Sequence, residues 1–170
     1  MISQYIKGRT AVFIDAANIF YSQRTLKWRI SYAKLKSYFE KECELTKVFI
    51  YTATDAKRQS QNKFISMLQK NGFIVRTKPV KQIRISSGVY QWKGNFDVEL
   101  TMDMLDYLDE YDTAVLLSGD SDFAPIIDRV KARGKRVIIM SVKGHVSKEL
   151  IDRAKYINLK KLRDRIELLE

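Results

Sequence analysis

Short apolar runs alternate along the chain with segments in which apolar residues recur every three or four positions. Residues 10–14, 113–118 and 135–141 are nearly continuous aliphatic runs, which are typical of parallel β-strands covered on both faces. Residues 31–43 carry apolar side chains at helical spacing after Ser31, a residue type that favours helix N-termini. The pattern therefore predicts strands at the first three segments and a helix at the fourth.

The rest of the chain continues this alternation. Gly72 and Gly134 each follow a segment of helical periodicity, and glycine commonly ends a helix. Ser87 and Gly88 interrupt an alternating apolar–polar run, which predicts the turn of a β-hairpin. The further predicted elements are strands at 46–52 and 73–80, a hairpin at 83–92, and helices at 57–71, 98–108, 123–133, 147–154 and 159–169.

Strands separated by helices predict an α/β fold with a mostly parallel sheet and helices on both faces. The chain contains no internal repeat, low-complexity segment or linker, so we predict a single domain over residues 1–170. Its core spans about residues 10–158, and a C-terminal helix occupies about residues 159–169. The helix at 98–108 has four apolar residues on one side: Val98, Met102, Leu105 and Leu108.

Composition narrows the class of protein. No apolar run approaches the ~18–20 residues of a membrane span, and the first ten residues lack the pattern of a secretory signal. The single cysteine, Cys43, excludes an internal disulfide and a cysteine metal cluster. We therefore expect a cytoplasmic protein that makes no membrane contact.

Charge is unevenly distributed in this basic chain, whose formal net charge is +11. Residues 56–96, here called the basic belt, contain no Asp or Glu, whereas residues 94–128 contain no Lys or Arg and hold ten acids. The belt is a candidate nucleic-acid surface, and Tyr90 and Trp92 are candidates for stacking on unpaired bases. The alternative is solvated helix faces with both rings packed beneath the hairpin. The predicted phosphate contacts are Arg76, Lys78, Lys81, Arg84 and Lys93.

Carboxylates follow the predicted strands at three separate junctions. Asp15 ends the first strand, with Asn18 three residues further on, and Asp120 and Asp122 follow the strand at 113–118. Asp97 begins the helix near residue 98. Such residues can act as helix caps, each contributing about 1 kcal/mol. Because the carboxyl ends of parallel strands share one edge of a sheet, these side chains can also converge there.

Converging carboxylates need a compensating positive charge. Two carboxylates ~4 Å apart repel by about 1 kcal/mol in water and by about 4 kcal/mol at an effective dielectric constant of 20. His145 is the only histidine, and we expect it in a solvent-facing loop rather than in a zinc site. Oxygen ligands from Asp select Mg²⁺ or Mn²⁺. The candidate ligands are Asp15, Asp97, Asp120 and Asp122.

Four segments of the chain resemble those of the NYN-domain proteins, in the LabA-like branch of the PIN-like nuclease superfamily. In chain order they read VFIDAANIF, KGNFDVELTMDML, LLSGDSDFAPII and SKELIDRAKYI, and the resemblance extends over about residues 11–157. It implies a Rossmann-like sheet, a divalent-metal site and hydrolysis of RNA phosphodiester bonds. Its acidic positions fall on Asp15, Asp97, Asp120 and Asp122, with Asn18 beside them.

The resemblance predicts a metal-dependent ribonuclease whose partner is RNA. Asp103 also matches it, but six residues of helix turn by ~600°, so we expect Asp103 to support the site rather than to bind the metal. Ser118 and Ser121 are candidates for contacts to water or substrate, or for a backbone turn. We expect any targeting module to belong to another chain. The sequence leaves undecided whether the protein forms a homodimer.

Two other functions remain open at this point. One is a module that binds RNA or a partner protein without cutting. The other is a metal-dependent phosphatase on a related sheet. Haloacid-dehalogenase-like phosphatases require Asp-x-Asp directly after the first strand, and here Ala17 stands in the second position.

Overall fold

The protein is described by a computed structural model that covers the backbone of residues 1–54, 59–86, 89–93 and 95–169. Side chains are described for residues 1–54, 60–80 and 95–169. The strands are β1 (Arg9–Asp15), β2 (Glu44–Thr54), β3 (Ile74–Pro79), β4 (Lys81–Ser86), β5 (Val89–Lys93), β6 (Thr113–Leu117), β7 (Arg136–Ser141) and β8 (Lys155–Asn158). The α-helices are α1 (Ala16–Leu26), α2 (Tyr32–Glu42), α3 (Gln59–Lys70), α4 (Asp97–Asp106), α5 (Ala124–Ala132), α6 (Lys148–Arg153) and α7 (Arg163–Ile166).

Six parallel strands form the main sheet in the order β3-β2-β1-β6-β7-β8, which confirms the predicted α/β fold. The chain extends the sheet outward from β1 to β3 and then returns to add β6 on the other side of β1. In open sheets of this kind, sites form where the strand order reverses, beyond the carboxyl ends of the strands. That switch point lies between β1 and β6, where Ile14 is paired with Leu117.

Both faces of the sheet are buried. Val12 and Ile14 of β1 pack with residues of α1 and α2 on one face, whereas Ala11 and Phe13 pack with residues of α4 and α5 on the other. This alternation of neighbouring side chains explains why the central strands are nearly continuous apolar runs. The two helical layers therefore cover β1 and β6 on both faces of the sheet.

Several predicted elements differ from the structure. Residues 159–169 form a 3₁₀ helix (Leu159–Leu162) followed by the short α7, after which Glu167 pairs with Ile30, so the prediction of one continuous helix was wrong. Strand β8 was not predicted, because four residues carry too little periodicity to identify a strand. The hairpin is confirmed as the antiparallel pair β4 and β5, and its turn at 87–88 lies outside the described residues.

The buried side of helix α4 is not the side on which the sequence analysis places its apolar residues. Val98, Met102 and Leu105 are exposed, whereas Leu100 and Met104 are buried. The helix ends at Asp106, and a 3₁₀ turn (Leu108–Glu110) follows it. Over the described ranges, no helix has the length and apolar character needed to cross a membrane.

Candidate metal centre at the switch point

Asp15 and Ser118 join the ends of the two central strands. Asp15 is the last residue of β1 and caps α1, since its Oδ1 accepts a hydrogen bond of 3.1 Å from the Asn18 backbone N–H. Ser118 follows β6 and is fully buried, and its hydroxyl donates to Oδ2 of Asp15 at 3.0 Å. Both oxygens of the Asp15 carboxylate are therefore fixed by the ends of neighbouring elements.

The segment after β6 folds into a tight acidic turn. The Asp120 backbone N–H donates to Oγ of Ser118 at 3.3 Å, and the Asp122 N–H donates to Oδ1 of Asp120 at 3.0 Å. Asp120 thereby caps the 3₁₀ turn Ser121–Phe123, as the cap interpretation predicts. The capping uses one oxygen of Asp120 and leaves the other available.

Gly119 is required by close packing against a neighbouring loop. A Cβ atom at this position would lie 1.6 Å from the backbone oxygen of His145. The two loops are also joined by a hydrogen bond of 2.9 Å from the Ser147 N–H to the Gly119 oxygen. The glycine between Ser118 and Asp120 therefore sets how closely the acidic turn approaches residues 145–147.

Asp97 reaches the same region from α4. It is the first residue of that helix, and its N–H donates to Oδ1 of Asn95 at 2.7 Å. The Asn95 amide in turn donates to Oδ2 of Asp97. Asn95 was not predicted as a site residue, although an Asn two positions before a helix is a recognisable turn signal.

Three of the predicted carboxylates come together. One oxygen from each of Asp97, Asp120 and Asp122 lies within 4.8 Å of the others, and we call these residues the aspartate trio. Burial raises the pKa of Asp97, the hydrogen bond from Asn95 lowers it, and repulsion from Asp120 and Asp122 raises it further. The trio is therefore a site at which a positive charge would relieve electrostatic strain.

Asp15 belongs to the same electrostatic cluster but not to the trio. Burial raises the pKa of Asp15, the hydrogen bonds from Asn18 and Ser118 lower it, and the charge of Asp97 raises it again. Asn18 lies on the first turn of α1, and its side-chain oxygen is buried without a hydrogen-bond partner among the described residues. Both residues stand beside the trio rather than within it.

The donor set fits a hard divalent cation. The groups that converge are carboxylate oxygens, and within the described ranges no cysteine or histidine joins them. His145 instead contacts Oγ1 of Thr25 through Nε2 at 2.6 Å. The residues that could hold a metal ion are thus the aspartate trio.

Asp103 is engaged elsewhere. It is buried, it accepts a hydrogen bond of 2.8 Å from the Tyr51 hydroxyl, and it accepts two bonds of 3.0 Å from Arg76. Arg76 and Lys78, which the sequence suggests as nucleic-acid contacts, both form ion pairs, the latter with Glu99 at 2.7 Å. The side chains of the other predicted contacts lie outside the described residues: Lys81, Arg84, Tyr90, Trp92 and Lys93.

Fold and site together define an α/β domain with a parallel sheet and an acidic centre at its switch point. The model of the NYN domain matches residues 9–160, and the chain belongs to the NYN domain family. It is 34% identical over 167 residues to the low amplitude and bright protein LabA of Synechococcus elongatus, a match that covers 96% of this chain and 90% of that protein.

A solved structure supports the same assignment of the fold. The chain superposes on a protein of unknown function from Vibrio parahaemolyticus with a TM-score of 0.80 and 26% identity. The alignment covers 99% of this chain and 100% of that one. The resemblance to LabA-like NYN domains that the four sequence segments indicate is thereby confirmed.

Proposed function

We propose that the protein is a metal-dependent nuclease that hydrolyses phosphodiester bonds in RNA. The observation that carries this proposal is the convergence of Asp97, Asp120 and Asp122, which come from two separate strand-to-helix junctions. Helix caps alone do not require three carboxylates within 4.8 Å of one another. A divalent cation bound through carboxylate oxygens accounts for their convergence.

The aspartate trio would hold Mg²⁺ or Mn²⁺, which when bound supplies Lewis-acid polarisation of a phosphoryl group and activation of water. Ser118 fixes the arrangement, because its hydroxyl donates to Asp15 while its oxygen accepts from the Asp120 N–H. We assign Asp15, which stands beside the trio, as the group that would accept a proton from water, and burial favours this role because it raises the pKa of the carboxyl group. Asn18 is the candidate for orienting water or substrate, a role in which its side-chain oxygen, buried in this structure, would have to be uncovered.

The charge of the chain supports a polyanionic substrate. Without a cation, the trio would repel a phosphate, so binding must draw on basic residues elsewhere in a chain of net charge +11. Membership of the NYN family, which resembles PIN-like nucleases, favours RNA over DNA.

The proposal is tested by incubating matched RNA and DNA oligonucleotides with the protein in Mg²⁺, in Mn²⁺ or in chelator. We expect cleavage of RNA with either metal and none in chelator. Asp120→Asn should reduce the rate by at least the roughly 10- to 100-fold that loss of a residue supporting a metal site typically costs, because it removes one negative charge from the ligand set. Asp106→Asn is the matched control, since Asp106 is an exposed acid at the end of α4.

Cleavage by Asp120→Asn at the parent rate would contradict the assignment of the site. Binding of RNA without cleavage under every metal condition would instead indicate a binding module. Hydrolysis of a small phosphate ester without cleavage of the oligonucleotide would indicate a phosphatase.

A further inference from the structure

A large cavity is lined in part by Ala16 and Phe96, the residues next in sequence to Asp15 and Asp97. Its volume is about 810 Å³, which falls within the roughly 300–1,000 Å³ typical of small-molecule sites. Residues of α1, α2, α3 and β2 line it. We call it the aromatic cavity after the rings in its walls, which are Phe20, Tyr21, Tyr32, Tyr51, Phe64 and Phe96.

The aromatic cavity adjoins the acidic residues at three points. Ala16 and Ala17 in its wall directly follow Asp15, and Phe96 directly precedes Asp97. Tyr32 is coupled to the cluster, because burial and then the charge of Asp15 raise the pKa of its hydroxyl. A strand whose phosphate lay at the trio would therefore bring an adjacent base to the mouth of this cavity.

The rim of the aromatic cavity combines exposed rings with positive charge. Phe20 is 58% exposed and Tyr21 is 55% exposed, although both are large apolar side chains. Their ring centroids are 5.7 Å apart, and the Arg24 guanidinium lies 5.8 Å from the Phe20 centroid and 5.3 Å from that of Tyr21. Arg29, also exposed, lines the cavity as well.

These features fit one class of ligand better than others. Flat aromatic faces stack on nucleobases at about 1–3 kcal/mol per base, and the stacking tolerates any base. Arginines beside the rings match the phosphates on either side of a base. A base that stays paired within a duplex cannot enter such a cavity, and flipping it out costs about a few kcal/mol, so a single strand is the favoured source of the occupant.

We propose that the aromatic cavity binds an unpaired nucleobase next to the scissile phosphate of a nucleic-acid strand. This inference rests on the proposed function for the role of the trio, but base binding is measurable without cleavage. Phe20 and Tyr21 form the stacking platform at the entrance, and Arg24 and Arg29 contact the flanking phosphates.

The test measures binding of a single-stranded RNA that carries the fluorescent base 2-aminopurine, in chelator, with Asp120→Asn as the parent. Stacking in the cavity should quench the fluorescence. Phe20→Ala and Tyr21→Ala should each weaken binding by about 5- to 150-fold, the range that corresponds to the loss of one stacked base. Phe20→Tyr, which keeps the ring, should restore binding.

Tyr5→Ala is the matched control. Tyr5 also carries a cation over its ring, the Lys155 ammonium at 4.3 Å, but it lines a different cavity. Since Phe20 and Tyr21 are more than half exposed, their truncation should leave the melting temperature unchanged. We further expect that a matched duplex produces no quenching and that a 5′-mononucleotide binds far more weakly than the strand.

Unchanged affinity in both alanine variants, or equal quenching with duplex, would overturn the inference. The two proposals fail separately. Cleavage that persists when the alanine substitutions are made in the wild-type chain, with affinity unaltered, removes the base site alone. Quenching that depends on Phe20 and Tyr21, together with no cleavage by the wild-type chain, removes only the nuclease function.

Discussion

Ser118 and Gly119 constrain the passage from β6 into the acidic turn in different ways. The buried hydroxyl of Ser118 contacts both Asp15 and the Asp120 backbone. Gly119 has no room for a side chain against His145. At the scale of single residues, the site thus depends on two small, uncharged residues. Only the tertiary structure shows why they must be small.

Gly119→Ala should destabilise the fold and displace Asp120. The added Cβ would lie 1.6 Å from a backbone oxygen, so the loop at 145–146 must move. Overpacking typically costs about 1–3 kcal/mol, and contact with backbone places this variant at the upper end. Gly134→Ala is the control. Its φ of +76° strains any side chain, but no described atom lies within 4 Å of the new Cβ, so this variant adds no overpacking. Urea denaturation should show the larger loss for Gly119→Ala, and an equal loss would contradict the packing argument.

Asp97→Asn should stabilise the metal-free protein at neutral pH. The folded-state pKa of Asp97 is raised, foremost by burial, so its contribution to stability is full below the unfolded pKa of about 3.9 and is lost as pH rises through the folded pKa. Removing the charge should add about 1 kcal/mol at pH 7, or about 2–4 °C in melting temperature, and nothing below about pH 4.

Thermal melts of Asp97→Asn and the parent in chelator measure this difference, with Asp106→Asn as the control. Mn²⁺ should raise the melting temperature of the parent but not that of Asp97→Asn. A variant that is less stable than the parent at pH 7 in chelator would contradict the account of repulsion in the trio.

Secondary-structure elements were predictable where burial is simple. The central strands are apolar on both faces, and their sequence pattern identifies them. Helix α4 shows the opposite case, because its buried side carries Asp103 and its exposed side carries Val98 and Met102. Periodicity locates a stripe of apolar residues. It does not reveal that Arg76, which lies on a strand far from α4 in sequence, pairs with Asp103 and allows this carboxylate to be buried.

Arg76→Ala should destabilise the protein through α4. Arg76 of β3 donates two hydrogen bonds to the buried Asp103, and its loss leaves the Tyr51 hydroxyl as the side-chain donor to that carboxylate within the described part of the chain. Hydrogen bonds to charged groups are worth about 1.5–3 kcal/mol, and the partial exposure of Arg76 places the expected loss at the lower end.

Urea denaturation compares Arg76→Ala with Arg129→Ala, which truncates an exposed arginine on α5. A loss below about 0.5 kcal/mol for Arg76→Ala, equal to that expected for the control, would show that the pair with Asp103 contributes little. Arg76 would then be free to act as the nucleic-acid contact that its place in the basic belt suggests.

At the scale of the whole molecule, an acidic centre is set within a basic chain. The approach of Asp15, Asp120 and Asp122 could be predicted, because the ends of β1 and β6 share an edge of the sheet, whereas Asp97 follows β5 of the separate hairpin. Which three of these four residues meet could not be predicted, since that depends on the turn after β6 and on the start of α4. The aromatic cavity could not be predicted from the sequence either, because its walls come from elements far apart in sequence.

Binding of single-stranded RNA should fall steeply with salt. A chain of net charge +11 that contacts Z phosphates should give a slope of about −0.7Z in a plot of log affinity against log salt concentration. Titrations of Asp120→Asn in chelator between about 50 and about 200 mM salt measure the slope. Affinity that stays constant over that range would contradict an electrostatic role for the basic residues.

The most direct measurement of the central claim is the position of a bound metal ion. Crystals soaked in Mn²⁺ should show an anomalous difference peak among the carboxylate oxygens of Asp97, Asp120 and Asp122, and crystals of Asp120→Asn should show none. No peak at the trio in the parent protein, or an equal peak in the variant, would contradict the claim that these three aspartates form a metal centre.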